Sequence, residues 1–227
     1  MKILCIGDSL GLPREEVSYE ETWFFRLKNQ FPQHDFIYKF KRSLTSRDVV
    51  GKSNKDFAGD YFEFYHPDLV IAQFGICDCA PRYINEGKPA WIAAKLIFRK
   101  LRLEKLFWKT IKKVFSRSAD CVYVSYDDFA SYVNEYAEKC LRQDSQIIFI
   151  EIGTPSLKVQ EISPNLLHNV IRYNQVFEEL AKKNPNRISV VNPLNMEDES
   201  FYIDGYHTNG KGFERVYHSL SARLAEI

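Results

Sequence analysis

Met1-Lys2-Ile3-Leu4-Cys5-Ile6-Gly7-Asp8-Ser9-Leu10-Gly11 opens the chain. Ile3 to Ile6 is an apolar run cut off at Gly7. It is too short to span a membrane and is patterned like a strand covered on both faces, as the central strands of a parallel α/β sheet are. The residues that follow are polar and bracketed by Gly7 and Gly11. Ligands of parallel sheets bind beyond the carboxyl ends of the strands. Ser9 is therefore a candidate nucleophile, with an ordinary strand-to-loop turn as the alternative on these residues alone.

The same rhythm of strand, polar loop and helix runs outward through the chain. Trp23, Phe24, Leu27 and Phe31 recur at helical spacing behind Thr22, which can cap them. Asp35 to Phe40 alternates as a strand, and Arg42, Ser43, Thr45, Ser46 and Arg47 form the polar loop at its carboxyl end. A short aromatic helix over Phe57 to Tyr65 precedes the clearest interior strand, Asp68 to Phe74, which Gly75 terminates. Ile76 to Arg82 then reads as a compact polar loop. Later come a helix over Phe129 to Leu141 capped by Asp127 or Asp128, and a strand over Gln146 to Ile152. A loop over Thr154 to Pro164 leads to a helix over Asn165 to Lys183 and a last strand over Arg187 to Val191. After an irregular stretch from Pro193 to Tyr202, a terminal helix covers Gly212 to Ala225. Such repetition predicts a doubly wound α/β domain spanning residues 1–227.

Bulk properties narrow the class. The chain has 227 residues, enough for one large α/β core. With 45% hydrophobic residues and 15% aromatics it is not a disordered chain, and a net charge of +1 offers no global case for nucleic acid. The five cysteines, at 5, 77, 79, 121 and 140, are odd in number and lack paired metal spacing. They read as reduced thiols, with Cys5, Cys121 and Cys140 as buried structural residues. No secretory signal and no apolar stretch of about 18 to 20 residues is present. The expected location is the cytoplasm, with the inner membrane face as a candidate position.

A second chemical group lies near the other terminus, in Tyr202-Ile203-Asp204-Gly205-Tyr206-His207. Asp204 and His207 are three residues apart, so a short turn can set the carboxylate beside the imidazole. A carboxylate that accepts from one ring nitrogen leaves the other free as a base. If that nitrogen meets Ser9, the hydroxyl acquires the activation it lacks alone.

Gly7-Asp8-Ser9-Leu10 and Asp204-x-x-His207 together resemble the first and last blocks of the SGNH, or GDSL, hydrolase superfamily. Their order, their extreme positions and the α/β pattern between them extend the resemblance over essentially the whole chain. It implies a flavodoxin-like, three-layer α/β/α fold and a serine esterase site that needs no metal or other cofactor. Ser9 would be nucleophile, His207 general base and then acid, and Asp204 its orienting partner. The Ser9 N–H would hold the oxyanion, together with donors from two middle blocks.

The middle blocks depart from the pattern. Where the family has Gly-x-Asn-Asp, this chain has Gly75-Ile76-Cys77-Asp78. A thiol is a weak donor where an amide is a good one. Arg42 and Arg82, in adjacent strand-end loops, are candidates to stabilise the charge instead, and Ser43 is the match for the glycine of the second block. Cys77 as an alternative nucleophile, Asp78 as a loop cap and Arg82 as a structural residue are the competing assignments.

From Lys88 to Arg117, ten Lys or Arg stand against a single acidic residue, Glu104, a local net charge of +9. Within it, Trp91 to Phe115 reads as one amphipathic helix with Leu96 and Leu103 on its apolar arc. It fits a surface helix packed on the core, a lid beside the site, or a peripheral contact with an anionic membrane. No nucleic-acid reading motif accompanies it. The expected activity is hydrolysis of a short acyl ester on a carbohydrate or similar small polar molecule. The alternatives are an O-acyltransferase (acetyltransferase) of surface-polysaccharide or glycolipid synthesis, and a non-catalytic relative that binds glycan or membrane.

Overall fold

The computed structural model describes residues 1–53, 59–82, 89–101, 103, 121–195 and 198–227. Among them, five parallel strands form one sheet: β1 (Lys2–Gly7), β2 (Asp35–Phe40), β3 (Leu69–Gln73), β4 (Gln146–Ile150) and β5 (Ile188–Val191), in the spatial order β2-β1-β3-β4-β5. The helices in chain order are α1 (Trp23–Gln30), α2 (Ser46–Val49), α3 (Gly59–Tyr65), α4 (Ile76–Cys79) and α5 (Pro89–Lys100), then α6 (Tyr126–Arg142), α7 (Leu157–Ile162), α8 (Asn165–Lys183) and α9 (Gly210–Leu224).

Alternation along β1 explains why its apolar run is continuous. Side chains of a strand point to opposite faces in turn. Leu4 and Ile6 join one core with Val133 and Tyr136 of α6 and Val170 and Phe177 of α8. Ile3 and Cys5 join the other, with Trp23 and Leu27 of α1 and Phe213, Val216 and Leu220 of α9. All four β1 residues are fully buried. The result is the three-layer α/β/α, doubly wound architecture. The strand order turns back between β1 and β3, and a crevice at such a reversal is where open α/β sheets bind ligands. Gly7 ends β1 at that place. A Cβ on Gly7 would lie 2.5 Å from the Gln73 carbonyl oxygen, and one on Gly11 would lie 1.8 Å from the Phe40 ring. The brackets around Ser9 are glycines because neighbouring strands leave no room for a side chain.

Several local expectations need correction. The loops after β2 and β3 each contain one helical turn, α2 and α4, and α7 lies within the stretch expected to be loop from Thr154 to Pro164. Runs of four to six residues are too short for periodicity to reveal. Helix α6 is capped by Ser125, whose Oγ accepts from the Asp128 N–H at 3.2 Å, and not by Asp127 or Asp128. Cys121 is exposed, whereas Cys5, Cys79 and Cys140 are buried. Cys121 serves through its backbone carbonyl, which accepts the Arg82 N–H at 2.6 Å. Leu96 and Leu103 are 52% and 42% exposed, so the apolar arc of the basic stretch is not laid on the core at these positions. The single helix expected from Trp91 to Phe115 instead ends at Lys100 in α5, and residues 102 and 104–115 of that stretch lie outside the described residues, as do 57–58 of the aromatic helix. No helix among the described residues is long and apolar enough to cross a membrane.

Candidate active site

Ser9 begins a single 3-10 turn, Ser9–Gly11, directly after β1. Asp8 caps that turn: its Oδ1 accepts the Leu10 N–H at 2.9 Å, and its own N–H donates to the Gln73 carbonyl at 2.9 Å. The cap fixes the backbone of Ser9 and leaves its N–H without an acceptor among the described residues.

His207 comes from the opposite end of the chain on a short hairpin. Tyr202 bridges Thr208, and the Ile203 N–H donates to the His207 carbonyl at 2.8 Å. The hairpin rests on the loop after β4, where the Ser156 N–H donates to the Gly205 carbonyl at 2.8 Å and the Tyr202 hydroxyl to the Thr154 carbonyl at 2.7 Å. Asn174 of α8 in turn binds both backbone groups of Ile152 at 2.9 Å. The turn needs glycine at 205: its φ is 96°, and a Cβ would come within 2.3 Å of the Val159 side chain.

These supports bring three side chains into one hydrogen-bonded chain. Ser9 Oγ lies 3.1 Å from His207 Nε2, and His207 Nδ1 lies 2.7 Å from Asp204 Oδ2. With Nδ1–H donating to Asp204, Nε2 carries the free lone pair and accepts from the Ser9 hydroxyl. Burial lowers the His207 pKa from its ordinary 6.5, Asp204 opposes that shift, and the charges of Arg14 and Arg42 add to it. Partial burial pushes Asp204 upward, but the hydrogen bonds from the His207 ring and amide outweigh it and hold the carboxyl below its ordinary value. A neutral imidazole beside an ionised carboxylate can take a proton from Ser9 and return it to a leaving group.

The other sequence-chosen residues sit around this chain in unequal roles. Asp78 is fully buried and accepts from both the Ser46 N–H (2.9 Å) and the Ser46 hydroxyl (2.6 Å), tying the loops after β2 and β3 together. Gly75, with φ 122°, precedes the turn of α4 that carries Cys77 and Asp78. Burial, reinforced by Asp8 and Asp78, pushes the Cys77 thiol up to about 12. A thiol held protonated is a poor nucleophile. Ser43 is exposed with φ 58°, a backbone that glycine ordinarily supplies. Arg42 is exposed in the same loop. Arg82 stacks its guanidinium 4.5 Å from the Tyr123 ring centroid, and its Nε is buried without a hydrogen-bond partner among the described residues.

Sequence reasoning gave no role to Asp8, Tyr206 or Arg14, and passed over Ser46 in favour of Ser43 in the loop after β2. Asp8 supplies the cap, Ser46 supplies the partner of Asp78, and Tyr206 lies with its ring centroid 4.4 Å from that of His207. Arg14 donates from Nη2 to the Ser9 carbonyl at 3.2 Å, held there by a reciprocal pair of 3.0 Å backbone bonds with Val17. Asp8 and Tyr206 adjoin residues already singled out, which is a usable signal. Ser46 stands in the strand-end loop already singled out, and Arg14 carries no such signal.

No protein-family model matches the chain, and none of the curated proteins matches it in sequence. Solved structures do share its fold. A lipase/acylhydrolase from Enterococcus faecalis matches over 98% of this chain and 94% of its own, with a TM-score of 0.65 at 14% identity. A catalytic mutant of an acetylxylan esterase from Geobacillus stearothermophilus matches over 97% and 92%, with a TM-score of 0.62 at 15% identity. A carbohydrate acetylesterase from Sinorhizobium meliloti matches over 99% and 98%, with a TM-score of 0.60 at 13% identity. At such identities the likeness is one of fold, and chemistry has to be argued from the site.

Proposed function

We propose that the protein is a serine ester hydrolase that removes a short, acetyl-like acyl group from a carbohydrate or other polar ester. The observation that carries this is the unbroken chain from Ser9 Oγ through His207 to Asp204 at 3.1 and 2.7 Å. Its position, at the reversal of strand order where substrates of such sheets bind, supports the same conclusion.

Ser9 Oγ attacks the ester carbonyl while its proton passes to His207 Nε2. Asp204 stabilises the imidazolium that results. The tetrahedral oxyanion draws on the free N–H of Ser9, with the loops bearing Ser43 and Cys77 on either side of β1 as the further sources of donors. The alkoxide then departs with the proton from His207, leaving the acyl group on Ser9. His207 next deprotonates a water, whose oxygen attacks the acyl carbon, and Ser9 recovers its proton as the carboxylic acid leaves. The choice of a carbohydrate acetyl ester draws support from two structures of the same fold, described as an acetylxylan esterase and a carbohydrate acetylesterase.

Turnover of 4-nitrophenyl acetate and acetylated sugars by wild type and Ser9→Ala tests this function. Loss of turnover in the variant is expected. Equal turnover in both would reject Ser9 as the nucleophile.

A further inference from the structure

Three arginines stand in the three loops that follow β1, β2 and β3, and none forms an ion pair with a carboxylate among the described residues. Arg14, beyond the Ser9 turn, donates to the Ser9 carbonyl at 3.2 Å. Arg42 stands two residues beyond the end of β2, the strand paired with β1 in register up to Gly7 and Phe40. Arg82 follows α4, its main chain fixed by the 2.6 Å bond to Cys121 and its guanidinium laid on Tyr123, with a buried Nε that has no acceptor among the described residues. The charges of Arg14 and Arg42 reach the His207 ring, and those of Arg82 and Arg14 reach the Tyr206 hydroxyl. Arg14 thus touches Ser9, and Arg42 and Arg82 stand in the loops after β2 and β3, the strands on either side of β1.

Four aspartates nearby, among the described residues, are engaged elsewhere. Asp204 is spent on His207 at 2.7 Å, and Asp78 accepts twice from Ser46. Asp8 is wholly buried beneath Ser9 and bound to the Leu10 N–H. Asp48 is satisfied by Thr45, Ser53 and Lys41. A neutral ester gives three guanidiniums nothing to pair with, and a buried donor without an acceptor costs free energy until one arrives. Guanidinium groups suit planar carboxylates and phosphates, which they bind through parallel hydrogen bonds.

We infer that the site selects an ester that also carries a carboxylate or phosphate, held by Arg82 and Arg42 with Arg14 behind Ser9. This deepens the proposed function and rests on Ser9 and His207 being its reacting pair. A sugar ester bearing an acidic group is the class of substrate that joins the two.

Binding to Ser9→Ala, which cannot form the acyl-enzyme, tests the preference apart from turnover. Two anionic esters, 4-acetoxybenzoate and mono(4-nitrophenyl) succinate, place the charge on the alcohol side and the acyl side. Their neutral counterparts are 4-acetoxybenzamide and 4-nitrophenyl butyrate, and affinities are read by NMR titration. At least one anionic ester should bind about tenfold or more tightly than its counterpart. The preference should fall at about 1 M salt, where the screening length is about 3 Å. It should also fall on adding Arg82→Gln or Arg42→Gln, and fall less with Arg82→Lys, which keeps the charge but not the paired donors. Arg42 is exposed, so its variant keeps the test open if Arg82→Gln fails to fold. Affinities within about twofold for both pairs, or a preference indifferent to both glutamine variants, would overturn the inference. Hydrolysis undiminished in Ser9→Ala would instead overturn the proposed function and leave the binding result standing.

Discussion

Asp204 grips His207 at two points: its Oδ2 faces the ring Nδ1 at 2.7 Å and its Oδ1 accepts the backbone N–H at 2.9 Å. One carboxylate thus sets both the tautomer and the orientation of the imidazole. Asp204→Asn keeps the shape but removes the charge that stabilises the imidazolium. We expect kcat on an aryl acetate to fall by about 10²- to 10⁴-fold while the fold persists by circular dichroism. A loss under about threefold would mean that Asp204 only caps the turn.

Protonation of His207 should govern the acid limb of the pH profile. Its pKa is lowered from 6.5 by burial, with Arg14 and Arg42 contributing to the same shift. The base works when neutral, so kcat/KM should rise through a midpoint below pH 6.5 and level off above it. Arg14→Gln removes a positive charge near the ring and should move the midpoint upward. A midpoint unmoved or lowered in this variant would contradict the electrostatic placement of Arg14.

The resemblance of Gly75-Ile76-Cys77-Asp78 to Gly-x-Asn-Asp implies an amide donor to the oxyanion at the place of Cys77, whose thiol burial pushes up to about 12. One such donor is worth about 10²- to 10³-fold in kcat. Cys77→Asn should therefore raise kcat, by up to about 100-fold, with little change in KM. Steady-state kinetics decide the matter. A fall in kcat with unchanged folding would show that the thiol, or the space it leaves, is itself required.

Asp8 and Asp78 each keep one carboxyl oxygen, Oδ2, buried without a partner. Burial raises Asp8 from 3.8 to about 8 and Asp78 to about 7, with mutual repulsion adding to Asp8. The folded state then holds more protons than the unfolded state, so their contribution is full below the ordinary carboxyl value and is lost as pH rises through 7 to 8. Asp8→Asn cannot ionise, and its side-chain carbonyl can still accept from Leu10. Thermal melts from about pH 5 to pH 8.5 should show wild type losing more stability than the variant. Parallel pH dependence in both would refute the buried, protonated state of Asp8.

Much of the fold was legible in the residues because its cues are local. Ile3 to Ile6, Asp35 to Phe40 and Leu69 to Gln73 are apolar or alternating runs ended by glycine or polar loops, and these became β1 to β3. Helices α2, α4 and α7 escaped because runs of four to six residues carry no readable period. The Ser9–His207–Asp204 grouping was accessible only because two short motifs stand at opposite ends of a recognisable pattern. Arg14 acts through a contact that depends on loop conformation, and nothing in its immediate neighbours marks it out, whereas Ser46 differs from Ser43 only in the bond to Asp78 that the fold supplies.

Covalent capture of the nucleophile tests the central claim most directly. A fluorophosphonate forms an Oγ–P bond with an activated serine as fluoride leaves, so intact mass and peptide mapping report which residue reacted. The account predicts one adduct, on Ser9, in wild type, little in His207→Ala and none on this peptide in Ser9→Ala. An unlabelled Ser9 in folded wild type, or labelling at the wild-type rate in His207→Ala, would contradict it.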